Sequence, residues 1–163
     1  MIFKVSKHNS EIYNTFLKLS RNIFFYKEID LEDSYETRIY LMFLHYSIVL
    51  FIQKNRGNKA DQKNYDNFFF FIENNLRELG FGDVAVNKKM KDLNKIFYDI
   101  LIKISQNQSK FIINRTIIIK YFAILNNNEK KLQELLIYFN NFYHFCFELT
   151  SENMIKDVQN YRV

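Results

Sequence analysis

The 163-residue sequence contains no proline, no tryptophan, three glycines and one cysteine. Each scarcity excludes something. A many-stranded β fold needs frequent turn residues, and this chain has almost none. A chain with so few breakers is most easily helical. One cysteine rules out a disulfide framework and a thiolate-based zinc site, and it fits a reducing compartment. No stretch reaches the ~18 consecutive apolar residues of a spanning helix. The nearest, Ile39 to Ile52, is interrupted by His45 and Ser47, and Phe111 to Leu125 by Asn114, Arg115 and Lys120. Met1 to Ser10 has no apolar run of the signal-peptide kind. The reading is a cytoplasm-like protein. Length predicts one domain, spanning 1–163, with enough chain to bury a real core.

What is abundant is aromatic: 18 Phe and 11 Tyr, 18% of the chain with no Trp. The formal charge is +5, from 23 Lys and Arg against 18 Asp and Glu. This bias permits contact with RNA, a ribosome or anionic lipid without specifying one.

Periodicity predicts an all-α domain of about six to seven helices. The first covers Ser10 to Arg21, with Ile12, Phe16 and Leu19 on one face. After Phe24-Phe25-Tyr26 and the acidic link Glu28 to Asp33, Asp33-Ser34-Tyr35-Glu36 has capping-box form. It opens a second helix, about 34–54, apolar on every side and so central and buried. A third spans Asp61 to Leu79, with Gly80 as its C-terminal cap. A fourth is expected from Asn87 to Ile104, and a fifth from Ser109 to Leu125. A sixth runs Glu129 to Leu149 after Asn126-Asn127-Asn128, and Ser151 is placed as the cap of a short last helix.

Catalytic chemistry is not visible. His144 and Cys146, two apart on a helix, point about 200° apart and cannot share a metal. Cys146 lies on an apolar stripe and reads as an inert thiol. Gly80-Phe81-Gly82 lacks the Lys and Ser/Thr of a phosphate-cradling loop and follows a helix, not a strand. The expectation is a non-enzyme with no cofactor and no metal. One polar pair stands out: Arg38 and His45, seven residues apart, superpose on the central helix. A guanidinium on a buried helix needs a partner, and Asp83 or Glu78 is the expected one. Arg38 would then pin the glycine-framed loop, leaving it rigid enough to serve in recognition.

One run carries a resemblance. Asn75-Leu76-Arg77-Glu78-Leu79-Gly80-Phe81-Gly82-Asp83-Val84-Ala85-Val86, followed by the basic Asn87 to Lys91, resembles the signature of the ubiquinol–cytochrome c chaperone family. That signature reads roughly Leu-Arg-Glu-Met-Gly-Val-Gly-Asp-Leu-x-Val, then a basic stretch with Met, then Phe-Tyr-Gly. Here Phe97-Tyr98 is followed by Asp99. Ser20 to Tyr26 is similar to the family's Ala-Arg-x-Pro-x-Phe-Tyr, with Ile23 for Pro. Asp33 to Arg38 with Leu44-His45 is similar to its Asp-x-x-x-Gly-Arg and Leu-His, with Thr37 for Gly. The resemblance covers about 13–101. The C-terminal helices, about 109–160, match only in pattern.

The resemblance implies an assembly chaperone for the respiratory ubiquinol–cytochrome c reductase, holding newly made cytochrome b. Mitochondrial members also meet the ribosome and act with a small helical co-chaperone. The start of the chain at the family domain implies a bacterial member, cytoplasmic and peripheral at the inner membrane, or on the matrix side if mitochondrial. No DNA contact is implied. A client of membrane helices needs adaptable apolar surface. Phe68, Phe70 and Phe71 crowd more than one face of the third helix, so they are candidate client contacts, with Arg77, Glu78, Gly80, Gly82 and Asp83 of the signature. Lys88, Lys91 and Lys95 share a face for rRNA or anionic lipid. The alternative function is thus a basic helical module binding RNA, a ribosome or a membrane surface.

Overall fold

The computed structural model describes residues 11–106 and 110–163. Ser10, expected to open the first helix, and Ser109, expected to open the fifth, lie outside these. Among the described residues the chain is all-α, with no strand. The α-helices are α1 Glu11–Ser20, α2 Ile23–Lys27, α3 Tyr35–Asn55, α4 Gln62–Glu78, α5 Asp83–Ser105, α6 Arg115–Tyr121, α7 Glu129–Phe147 and α8 Met154–Asp157. Short 3-10 turns, Ala123–Asn127 and Val158–Asn160, follow α6 and α8.

Local chemistry sets the boundaries. Ser34, not Asp33, caps α3: its Oγ accepts the Thr37 N–H at 3.2 Å. Asp61 accepts from the N–H groups of Lys63 and Asn64 and starts α4. Asn128 does the same for α7 through Lys131. Helices α3 and α4 both end in paired carbonyl-capping bonds around a glycine. Gly57 and Gly80 have φ of +79° and +96°, a region costly for any residue with a Cβ.

Helix α3 is apolar on all sides because it is wrapped. It packs against α1, α5 and α7. The aromatic excess fills the two spaces beside it. On one side Phe16, Phe43, Tyr46, Phe68 and Phe97 interlock, with ring centroids 4.9 Å apart for Tyr46–Phe68 and 5.2 Å for Phe43–Phe97. On the other, Phe25, Tyr138, Phe139 and Phe142 surround His45. Edge-to-face pairs of this kind add about 0.5–1.5 kcal/mol each beyond area burial.

Three helix expectations need correction. Helix α5 begins at Asp83, four residues before Asn87, so Gly80 to Asp83 is a tight corner and not a free loop. The fifth segment is helical only over Arg115–Tyr121. Before it, Phe111 and Ile113 are buried and Ile112 is exposed, an extended alternation with no partner strand. Asn114 then caps α6. At the C-terminus Asn153, not Ser151, precedes α8. Ser151 instead accepts from Arg56, whose guanidinium also donates to the carbonyls of Phe147 (2.6 Å) and Leu149 (2.8 Å). Arg56 thereby satisfies the open C-terminal end of α7 from across the molecule.

Candidate functional site

One end of the bundle gathers segments far apart in sequence. It holds the end of α1 with α2, the start of α3, and the corner joining α4 to α5. The Tyr26 hydroxyl donates to the Ser20 carbonyl at 2.7 Å, folding α2 back on α1. An open cleft of about 430 Å³ is lined by Arg21, Tyr26, Lys27, Asp33 and Arg38, with Ile23 at its side. A smaller hollow of about 140 Å³ links Tyr35 and Glu36 of α3 to Leu76 of α4 and Lys89 and Leu93 of α5. Among the described residues the Tyr35 hydroxyl, buried beside it, has no hydrogen-bond partner, and burial raises its pKa.

The α4–α5 corner is exposed from Arg77 through Val84. Gly80 N–H donates to the Arg77 carbonyl at 3.0 Å and Phe81 N–H to that of Leu76 at 3.3 Å, reversing the chain within two residues. Gly82 caps α5 with an ordinary φ of −73° and no side chain. The corner then presents apolar groups to solvent: Leu79 is 56% exposed, Phe81 38% and Val84 86%. The Lys89 ammonium lies 4.7 Å from the Phe81 ring centre. Arg77 bridges Glu73 at 3.3 Å and Asp83 at 3.5 Å, tying the two helices across the turn. Glu78 is exposed.

The three candidate phenylalanines separate. Phe68 is wholly buried in the core, Phe70 is 46% exposed, and Phe71 is half-buried with its ring stacked on Tyr13 at 5.6 Å. Phe70 shares the outer face of α4 with Arg77, seven residues on. Lys88, Lys91 and Lys95 are exposed on α5, and among the described residues none forms an ion pair.

The Arg38–His45 expectation is overturned in its geometry. Arg38 pairs with Asp33, not Asp83 or Glu78, through Nε (2.9 Å) and Nη2 (2.7 Å) to one carboxylate oxygen. Its side chain is 37% exposed, because α3 is solvent-facing in its first turn. His45 lies two turns deeper and fully buried. Its Nδ1 is 2.6 Å from the Leu41 carbonyl, and its Nε2 is 2.8 Å from the Tyr138 hydroxyl. A carbonyl only accepts, so Nδ1 carries the proton and Nε2 accepts from Tyr138. Burial pushes the imidazole pKa down to about 4, so it is neutral at physiological pH. Burial likewise raises the Cys146 thiol. Among the described residues no cluster of His, Cys, Asp and Glu has the form of a metal site.

A family model described as ubiquinol-cytochrome C chaperone matches residues 27–111. This chain belongs to that family. The match spans the acidic link, α3, α4, the corner and α5. It starts after the Ser20 to Tyr26 block, so that similarity rests outside the matched residues. No curated protein and no solved structure matches the chain. Membership carries a chaperone role in assembling the ubiquinol–cytochrome c complex.

The departures from the chaperone pattern have local explanations. Ile23, where the family has Pro, is the first residue of α2, capped by Asn22; Pro suits that position because its N–H would be unpaired there. Thr37, where the family has Gly, turns its hydroxyl to Ser34 Oγ at 3.1 Å. Asp99 is held by Lys120 and Tyr121 of α6, which hold its carboxyl below the usual range.

Exposure of Leu79 and Val84 was not foreseen in the sequence. An apolar residue on each side of a Gly-x-Gly turn was the available signal.

Proposed function

We propose that this chaperone-family chain holds newly made cytochrome b, and that the α4–α5 corner is where the client docks. The observation that carries this is the exposure of Leu79, Phe81 and Val84 on a corner inside the family-matched region. Side chains buried in a core explain a family pattern by packing alone. Exposed apolar ones on a rigid turn contribute less to the isolated fold than buried ones do and stabilise a complex with apolar helices. Phe70 on the adjoining face of α4 extends the surface, with Arg77, Glu78 and Asp83 as its polar rim. Gly80 and Gly82 shape the turn, while Phe68 is a core residue packed on Phe16 and Tyr46, away from it. The client is a membrane protein, so the chaperone works peripherally at the inner membrane. Among the described residues no helix is long and apolar enough to cross it.

A photo-crosslinker placed at Phe81 should capture cytochrome b in respiring cells, and Phe81→Asp with Val84→Asp should abolish capture. Deleting the gene should lower assembled complex while its transcripts persist. Normal complex in the deletion strain, or crosslinks confined to ribosomal proteins, would overturn the reading.

A further inference from the structure

Helix α5, 23 residues long, carries two heptad seams. The inner seam is Val86, Met90, Leu93, Phe97, Ile100 and Ile104, spaced four-three-four-three-four, and it packs against α3 and α4. The outer seam is Val84, Lys88, Lys91, Lys95, Tyr98 and Ile102. It has the same spacing two residues earlier, so it lies about 200° away around the helix. All six outer residues are exposed. The seam runs for about 27 Å, apolar at both ends and cationic in the middle. Its flanking carboxylates do not neutralise it. Asp99 is taken by Lys120 and Tyr121, and Asp92 lines the hollow shared with Tyr35 and Glu36.

We propose that the outer seam of α5 docks one amphipathic helix of a partner protein, with carboxylates opposite Lys88, Lys91 and Lys95 and apolar residues opposite Val84, Tyr98 and Ile102. A spacing of 3.5 residues is the signature of helix packing along a seam. A straight row of lysines alone would serve nucleic acid or lipid as well. The apolar ends decide for a helix: phosphates gain nothing from Val84 and Ile102, whereas a facing helix buries them. A second copy of this chain is disfavoured, since it would place lysine against lysine. The lysines also fix the register, as polar residues at seam positions do. The seam shares Val84 with the client-docking corner, but its lysines, Tyr98 and Ile102 stand apart from Leu79, Phe81 and Phe70, so crosslinking at Phe81 can fail while peptide binding through the lysines holds, and the reverse.

The test uses the full chain and synthetic helical peptides. One peptide carries Leu at its end seam positions and Glu at the central three; a second carries Lys at the central three. The acidic peptide should bind, and Lys88→Glu/Lys91→Glu/Lys95→Glu should weaken it at least about tenfold. The same variant should gain the Lys peptide, a rescue that simple misfolding cannot produce. Val84→Ser/Ile102→Ser should weaken the acidic peptide severalfold with the lysines intact. Three results would overturn the proposal: no binding of the acidic peptide, no effect of the Val84 and Ile102 changes, or preference for single-stranded RNA or anionic vesicles over the acidic peptide.

Discussion

Two residues of α3, seven apart, show how depth sets energetic role. His45 is neutral in the fold and has an ordinary pKa near 6.5 when unfolded. Below pH 6.5 the unfolded chain therefore binds a proton that the folded chain does not. Stability should be fully present above pH 6.5 and fall by about 1.4 kcal/mol per pH unit towards pH 4. Urea unfolding of the wild type and His45→Gln across that window isolates the histidine share; identical slopes would refute it. Arg38 stands at the opposite limit. Its partner is exposed, so Arg38→Ala should cost no more than about 1 kcal/mol, not the ~3 kcal/mol expected of a buried, unpaired cation. Phe68→Ala should cost about 3–5 kcal/mol, and Phe70→Ala under about 0.5 kcal/mol. If the two phenylalanines cost the same, Phe70 is not the surface residue described.

For the elements, the informative comparison is between the glycines of the α4–α5 corner. A Cβ would meet nothing within 4 Å at either. Space therefore does not distinguish them, but backbone conformation does. Gly80, at φ +96°, should lose about 1–2 kcal/mol on replacement by Ala. Gly82, in an ordinary N-cap conformation, should accept Ser with a gain of a few tenths of a kcal/mol. Thermal melts of the two variants separate these outcomes, and a stable Gly80→Ala would show that the corner does not need the left-handed residue. The same corner shows what periodicity conveys. The helix seams, the helix starts near Asp61 and after Asn126-Asn127-Asn128, and the Gly80 stop were readable because they depend on neighbours three or four residues away. The early start of α5 was not, since its first turn, Asp83 to Val86, contributes one buried residue to the apolar pattern. The Ile-rich segment before α6 misled for the converse reason: its alternation is only three residues long and is set by the surface it covers.

Across the whole molecule, the family match and the core do not end together. Residues 27–111 match the chaperone family, yet His45 and Phe25 are closed over by Tyr138, Phe139 and Phe142 of α7. Arg56 at the end of α3 in turn caps α7. A chain truncated after residue 111 should therefore lose cooperative unfolding and bind a hydrophobic dye, as a core open on one side does. A sharp two-state transition in that fragment would show that α7 is an accessory. Arg56→Ala in the full chain should cost about 1–2 kcal/mol through the lost C-terminal bonds.

By itself the sequence determined the helical class, the burial of α3 and the family, because composition, seam spacing and a long contiguous motif are local properties. Tertiary structure alone decided which aromatic groups face water, which acid Arg38 meets, and that α5 keeps a second seam uncovered. Those outcomes depend on which faces of neighbouring helices meet, and a one-dimensional pattern carries the faces of each helix without saying which of them another helix will cover.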